Sequence, residues 1–188
     1  MMLSRSQTGF TLIELLVTIL VLSIIFAFGV PALGSFIERA HLKNAAETIY
    51  GQIQYGRSES IKQSSQMYVN FSADGSSIWS LGISATSGCV PTDGLADASP
   101  CKISMAGTDV LKTTVNAASS PQYPNIKMTV NPSPFEITFE PVRGTATAGT
   151  VTLISGSGWE IRNIISILGH VSMCSPAGAA HVAGYPEC

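Results

Sequence analysis

Apolar and polar residues follow three successive patterns along this chain. From Phe10 to Leu33 the sequence is apolar almost without interruption, and Glu14 is the one charge within it. Leu15 to Val30 gives sixteen uncharged residues, whereas a membrane-spanning helix needs about 20, so a span has to reach back to Phe10 and take Glu14 with it. Pro31 and Gly34 interrupt the run at about the depth where such a helix leaves the lipid. A helical pattern resumes beyond them, so Pro31 predicts a kink rather than a stop. Between residues 34 and 66, Leu42, Ala45, Ala46, Ile49, Ile53 and Gly56 recur at three- and four-residue steps, with Glu38, Arg39, Lys43, Glu47, Arg57, Glu59 and Lys62 at other positions. This spacing predicts an amphipathic helix ending near Gln63 to Gln66, whose apolar stripe needs a sheet to lie on. Glu38 with Arg39 and Glu59 with Lys62 read as a solvated face with local ion pairs.

Beyond residue 66 the period changes to alternation. Met67 to Phe71, Ser77 to Ile83, Ile126 to Val130, Phe135 to Phe139, Thr150 to Ile154 and Trp159 to Ile167 read as strands. Ala73-Asp-Gly-Ser76 and Ser155-Gly-Ser-Gly158 signal hairpin turns. Ser84 to Pro124 reads as irregular. The predicted class is α+β: a long N-terminal helix, membrane-spanning over residues 10–33 and amphipathic over 34–66, packed on an antiparallel β-sheet domain of residues 67–188.

Glu14 is the residue that this reading has to explain. A carboxylate in a membrane helix costs about 2.5–3.5 kcal/mol even on the lenient insertion scale, and such residues are usually paired or functional. Glu14 therefore wants a cation. An ordinary secretory signal is cut after its apolar stretch at a small-x-small site, of which Ala27-Phe-Gly29 is a poor version. A plain single-pass anchor explains the length but not the carboxylate.

Composition narrows the picture further. Charged residues are 12% against a usual ~25%, the look of an exported β-rich domain behind a membrane-like first third. From Met67 onward five basic residues face eight acidic ones, which gives no net attraction for nucleic acid. Four cysteines form two groups, Cys89 with Cys101 and Cys174 with Cys188, and four cysteines allow three connectivities that sequence alone cannot choose among. Nearest-neighbour pairing is the simplest, because each pair brackets a Gly/Pro-rich segment that cannot order itself by burial. Stapling of this kind belongs to an oxidising compartment such as a bacterial periplasm. There is no CxxC pair to suggest a metal site, and His41, His170 and His181 are scattered with no HExxH, no Gly-x-Ser-x-Gly and no phosphate loop. The chain is not expected to be an enzyme, and no cofactor or metal is expected.

The segment Gly9-Phe-Thr-Leu-Ile-Glu14, behind a short basic start, resembles the processing site of type IV pilins and of the pseudopilins of type II secretion. The resemblance implies that residues 1–9 are a leader, that a prepilin peptidase cuts between Gly9 and Phe10 on the cytoplasmic side, and that Phe10 is N-methylated. The α-amino group so created on a neighbouring subunit's Phe10 is then a natural partner for Glu14 in assembly. A second resemblance lies in Phe135-Glu-Ile-Thr-Phe-Glu-Pro-Val-Arg-Gly-Thr-Ala146, Thr150-Val-Thr-Leu153 and the tail Gly169-His-Val-Ser-Met-Cys174, which look like the C-terminal half of the GspH/FimT family of minor pseudopilins and minor pilins. The leader, Ile37-Glu-Arg39 and the cysteine-closed tail are closer to minor pilins of the FimU and FimT kind.

What this implies is a minor pilin at or near the tip of a type IV pilus that helps to initiate its assembly; a minor pseudopilin of type II secretion and a DNA-binding minor pilin are the alternatives. The implied partners are the major pilin and other minor pilins, the prepilin peptidase, the inner-membrane assembly platform, and membrane lipid before assembly. The implied location is the inner membrane, single-pass with the C-terminal domain in the periplasm, and then the pilus. The DNA-binding branch carries Gly-Arg-x-Arg near its C-terminus, where this chain has Gly169-His170-Val171-Ser172, with no Lys or Arg after Arg162. Phosphate binding draws on that charge, so nucleic acid is not an expected partner.

Overall fold

The computed structural model describes residues 9–105, 107–117, 121–133 and 136–188, and only the helical backbone of residues 28–32. Residues 1–8 of the expected leader, Phe135 and the Pro31 side chain therefore lie outside the described residues. Helix α1 spans Leu12–Gln63, and its backbone stays helical through position 31. The chain divides into two compact units, Met1–Ile37 and Glu38–Cys188.

Within the second unit the helix carries its apolar stripe on Leu42, Ala45, Ala46, Ile49 and Ile53, all fully buried. It ends in a Schellman arrangement. Ser64 takes a positive φ of 51°, and the Ser65 and Ser64 N–H groups donate to the carbonyls of Ser60 and Ile61.

The stripe lies on two antiparallel four-stranded sheets. The first contains β1 (Met67–Ala73), β2 (Trp79–Ser84), β5 (Thr113–Asn116) and β7 (Glu136–Phe139) in the order β5-β2-β1-β7. The second contains β6 (Lys127–Asn131), β8 (Gly149–Ile154), β9 (Glu160–Ile165) and β10 (Val171–Cys174) in the order β10-β9-β8-β6. A hairpin of β3 (Lys102–Met105) and β4 (Thr108–Leu111) stands beside them. Register pairs Val69 with Ile83 and with Ile137, and Leu153 with Met128 and with Ile161. Side chains therefore alternate coherently, and both inner faces meet α1 in one core. Each aliphatic side chain buried there contributes about 1.5–3 kcal/mol. At Gly56 the helix comes close to the first sheet: a Cβ there would lie 2.9 Å from Val69 Cγ2.

The stretch from Ser84 to Pro124 is not wholly irregular, since it holds β3, β4 and β5. β5 escapes an alternation test because its inward residues are polar. Thr114 and Asn116 are buried, and the Asn116 amide donates to the Ser77 and Tyr123 carbonyls while its oxygen accepts the Tyr123 N–H. The bridge Cys89–Cys101 holds the loop it closes on the outer face of the first sheet, where Pro91 and Cys101 lie against Gly82. A Cβ on Gly82 would lie 2.4 Å from Cys101 Sγ, so β2 carries glycine where the bridge rests. Asn70, paired with Gly82, donates to Cys89 Sγ at 3.3 Å. A second bridge, Cys174–Cys188, closes the tail, and the Cys188 N–H donates to the Ser175 carbonyl.

Candidate assembly interface

In the first unit the helix leaves its apolar side chains uncovered. Phe10 is 80% exposed and Leu12 78%, and every large apolar side chain described from Ile13 to Ile37 is exposed as well. Apolar residues surround the helix on all sides, the pattern of a segment buried by lipid or by other helices. Its hydroxyl groups at Thr18 and Ser23 are satisfied locally. The Thr18 and Ser23 hydroxyls donate to the carbonyls of Leu15 and Leu20, at 2.8 and 2.7 Å, which removes two donors from any apolar surroundings. Among the described residues no helix is long and apolar enough to cross a membrane. The described part of the apolar run stops at Ala27, short of the about 20 residues that a span requires.

Thr11 caps this helix: its Oγ1 accepts the Glu14 N–H at 3.3 Å and its carbonyl accepts the Leu15 N–H at 3.2 Å. Thr11-Leu-Ile-Glu14 thus has the spacing of a capping box, and an acidic residue in the first turn gains about 0.3–1 kcal/mol from the helix dipole. That offsets part, not all, of the cost of a carboxylate in lipid. The signal for Thr11 is Thr-x-x-Glu ahead of an apolar run, which the stronger membrane pattern masks. At Gly9 a Cβ would meet nothing within 4 Å, so no described contact in the fold asks for glycine there.

In the second unit, the first turns of the helix hold the end of the domain where the chain enters it. Glu38 accepts the Ser157 N–H at 2.7 Å and the Ser157 hydroxyl, which secures the β8–β9 turn. The Ser157 hydroxyl bond keeps the Glu38 carboxyl below its ordinary value, against the opposing pull of burial. Arg39 stacks over Trp159 at 4.9 Å. Lys43 donates to the Ala183 carbonyl at 2.9 Å and lies over Tyr185. The Tyr185 hydroxyl donates to Glu47, and burial followed by the Glu47 charge pushes the phenol up to about 12. Glu38 and Arg39 are thus latches rather than a solvated pair. Glu59 does meet Lys62 at 3.3 Å, but its side chain is buried and also accepts from Gln63. The contact that decides the role of Glu38 is long-range: it and Ser157 are 119 residues apart.

Among the described residues no group of His, Cys, Asp and Glu is arranged to hold a metal ion. The first unit is an uncovered apolar helix, and the second is a domain with its own core. Residues 45–169 match the family described as type II transport protein GspH. The chain belongs to the GspH family. Residues 4–30 match the prokaryotic N-terminal methylation motif, which covers Gly9, Phe10 and Glu14. No curated protein matches this GspH-family chain. Among solved structures it is similar to the type IV minor pilin FimU of Pseudomonas aeruginosa (strain PAO1), at 20% identity and a TM-score of 0.50, over 76% of this chain and 98% of that one. A second crystal form of FimU gives 18% identity and a TM-score of 0.46, over 72% and 98%. At such identity the likeness is one of fold, and the fold is the α+β arrangement of a type IV pilin. This GspH-family chain is a type IV pilin-like minor pilin or pseudopilin, a structural protein by family.

Proposed function

We propose that this chain is a minor pilin that helps to initiate assembly of a type IV pilus and is incorporated at or near its tip. The observation that carries the reading is the contrast at the N-terminus: a Gly9-Phe10 junction on which the fold makes no demand, followed by a helix exposed all round with Glu14 in its first turn. Such a helix is covered first by lipid and then by the helices of other subunits. A prepilin peptidase cuts after Gly9 on the cytoplasmic side, Phe10 is N-methylated, and the apolar stretch over residues 10–33 anchors the chain in the inner membrane with residues 34–188 in the periplasm. The Glu14 carboxylate pairs with the α-amino group of a neighbouring subunit's Phe10, which relieves both buried charges and sets the register between helices. Major and minor pilins and the assembly platform are the partners.

The FimU-like fold and the two disulfides support the pilus reading. The family description favours a second one, a minor pseudopilin of type II secretion. The test is to isolate the chain from the cells that make it and read its N-terminus by mass spectrometry, then probe sheared pili for it. A mature chain starting with methylated Phe10 in the pilus fraction supports the first reading. A matured chain absent from pili, whose deletion blocks protein secretion but not piliation, supports the second. An uncut N-terminus overturns both.

A further inference from the structure

Helix α1 starts at Leu12, with only Phe10 and Thr11 between it and the Gly9–Phe10 junction, and Gly9, Phe10 and Thr11 are exposed and non-helical. The apolar run does not by itself fix that start, since it already includes Phe10. In an α-helix each N–H donates to the carbonyl four residues before it, so a longer helix would carry the Glu14 N–H to the Phe10 carbonyl and the Ile13 N–H to the Gly9 carbonyl. The Glu14 N–H is taken by Thr11 Oγ1 instead, at 3.3 Å, and the Leu15 N–H goes to the Thr11 carbonyl at 3.2 Å. Thr11 thus claims the donor that a longer helix would use next.

The turn that Thr11 forestalls would hold the scissile peptide. In leader removal water adds to the Gly9 carbonyl carbon, the bond from that carbon to the Phe10 nitrogen breaks, and a Gly9 carboxylate and a Phe10 amine are released. The charge that develops on the Gly9 oxygen is stabilised by donors of the peptidase, which need that oxygen free and not engaged by the Ile13 N–H. The pull toward a longer helix is strong at the edge of an apolar environment, where an unpaired N–H is costly and the Phe10 and Gly9 carbonyls are the next acceptors upstream. We infer that Thr11 is a positioning residue for leader removal: its hydroxyl caps α1 at Leu12 and keeps the Gly9–Phe10 peptide in non-helical backbone, open to the peptidase. This rests on the processing proposed above and adds to it the group that decides where the helix stops.

The test follows leader removal in the full chain, in the cells that make it, by pulse labelling and mass spectrometry of the N-terminus. Thr11→Val keeps the shape of the side chain and removes the acceptor, and loss of an N-cap of ordinary strength should slow cleavage about fivefold. Thr11→Ser and Thr11→Asn differ in shape but restore a cap, and should be cut at the unaltered rate. In uncut chains isolated from cells lacking the peptidase and held in detergent, the Gly9 and Phe10 carbonyl carbon shifts should move toward helical values in Thr11→Val and in neither of the other two. Cleavage of Thr11→Val at the unaltered rate, or shifts in it that stay non-helical, overturns the capping role. Ser and Asn variants as slow as Val would mean that the peptidase reads threonine itself, and overturn it as well. Each of these results leaves the processing function standing, whereas an unaltered chain that keeps its leader overturns both.

Discussion

Residues 9–37 and residues 38–188 treat apolar side chains in opposite ways. In the first segment every large apolar side chain described is exposed, and the Thr18 and Ser23 hydroxyls and the Glu14 N–H are satisfied by the helix itself. In the second, the same residue types on α1 and on the inner faces of eight strands bury one another in one core, and even the outer face of one sheet is roofed by a disulfide-held loop. The first segment has nothing among the described residues to cover its apolar surface, whereas the second has a core of its own. Changes in the first should therefore alter processing and assembly and leave the domain intact. Changes in the second should lower stability first.

The largest expected effect is at Gly9. Gly9→Val should leave the leader attached in essentially all molecules, with no change in the domain's thermal melt. A correctly matured N-terminus at Phe10 in this variant would refute the processing assignment.

Glu14→Leu comes next. It removes a group that costs about 2.5–3.5 kcal/mol in lipid, so insertion should be unimpaired, while a neighbour's Phe10 amine is left buried without its counter-charge. The chain should be cut, accumulate in the inner membrane and melt normally, but fail to support normal piliation as the only copy. Full piliation would remove the pairing from the account.

In the second segment Ile53→Ala should cost about 2–5 kcal/mol, since the side chain is fully buried beneath both sheets. Opening the tail with Cys174→Ser and Cys188→Ser together should cost about 2–4 kcal/mol. Both are read from denaturant or thermal unfolding of the detergent-solubilised chain, and both should leave leader cleavage unchanged. Loss of cleavage in either would break the division between the two segments.

The smallest effect is at Glu38. Its carboxyl is held below its ordinary value of 4.5, so the fold binds this proton less tightly than the unfolded chain does. The stabilisation is present above that value and is lost as pH falls through the lower folded one. Glu38→Gln should cost about 1 kcal/mol at neutral pH and flatten the acid limb of the stability profile. A pH profile identical to that of the unaltered chain would mean that the β8–β9 turn holds without Glu38.

Elements with strong periods are legible in the amino-acid sequence: the helix to Gln63, six of the strands, and the hairpin turns at Gly75 and Gly158. β5 is not, because its inward Thr114 and Asn116 are polar and become acceptable only once Ser77 and Tyr123 complete their hydrogen bonds. β3, β4 and β10 are not, because four residues in each leave too short a pattern. The roles of Glu38, Arg39 and Lys43 are equally hidden, since charges on a helix look alike until a turn more than a hundred residues away arrives to meet them.

By itself, then, the sequence determined the order of apolar helix, amphipathic helix and strands and the pattern at Gly9, Phe10 and Glu14 on which the proposed processing and pairing rest, because these depend on neighbours within a few residues and on the period of burial. Tertiary structure alone decided which cysteines meet, how the strands divide between two sheets, why Gly82 carries no side chain and which charges become latches. Each of those depends on the approach of segments far apart in the chain, where distance in space, and not spacing in sequence, sets the energy.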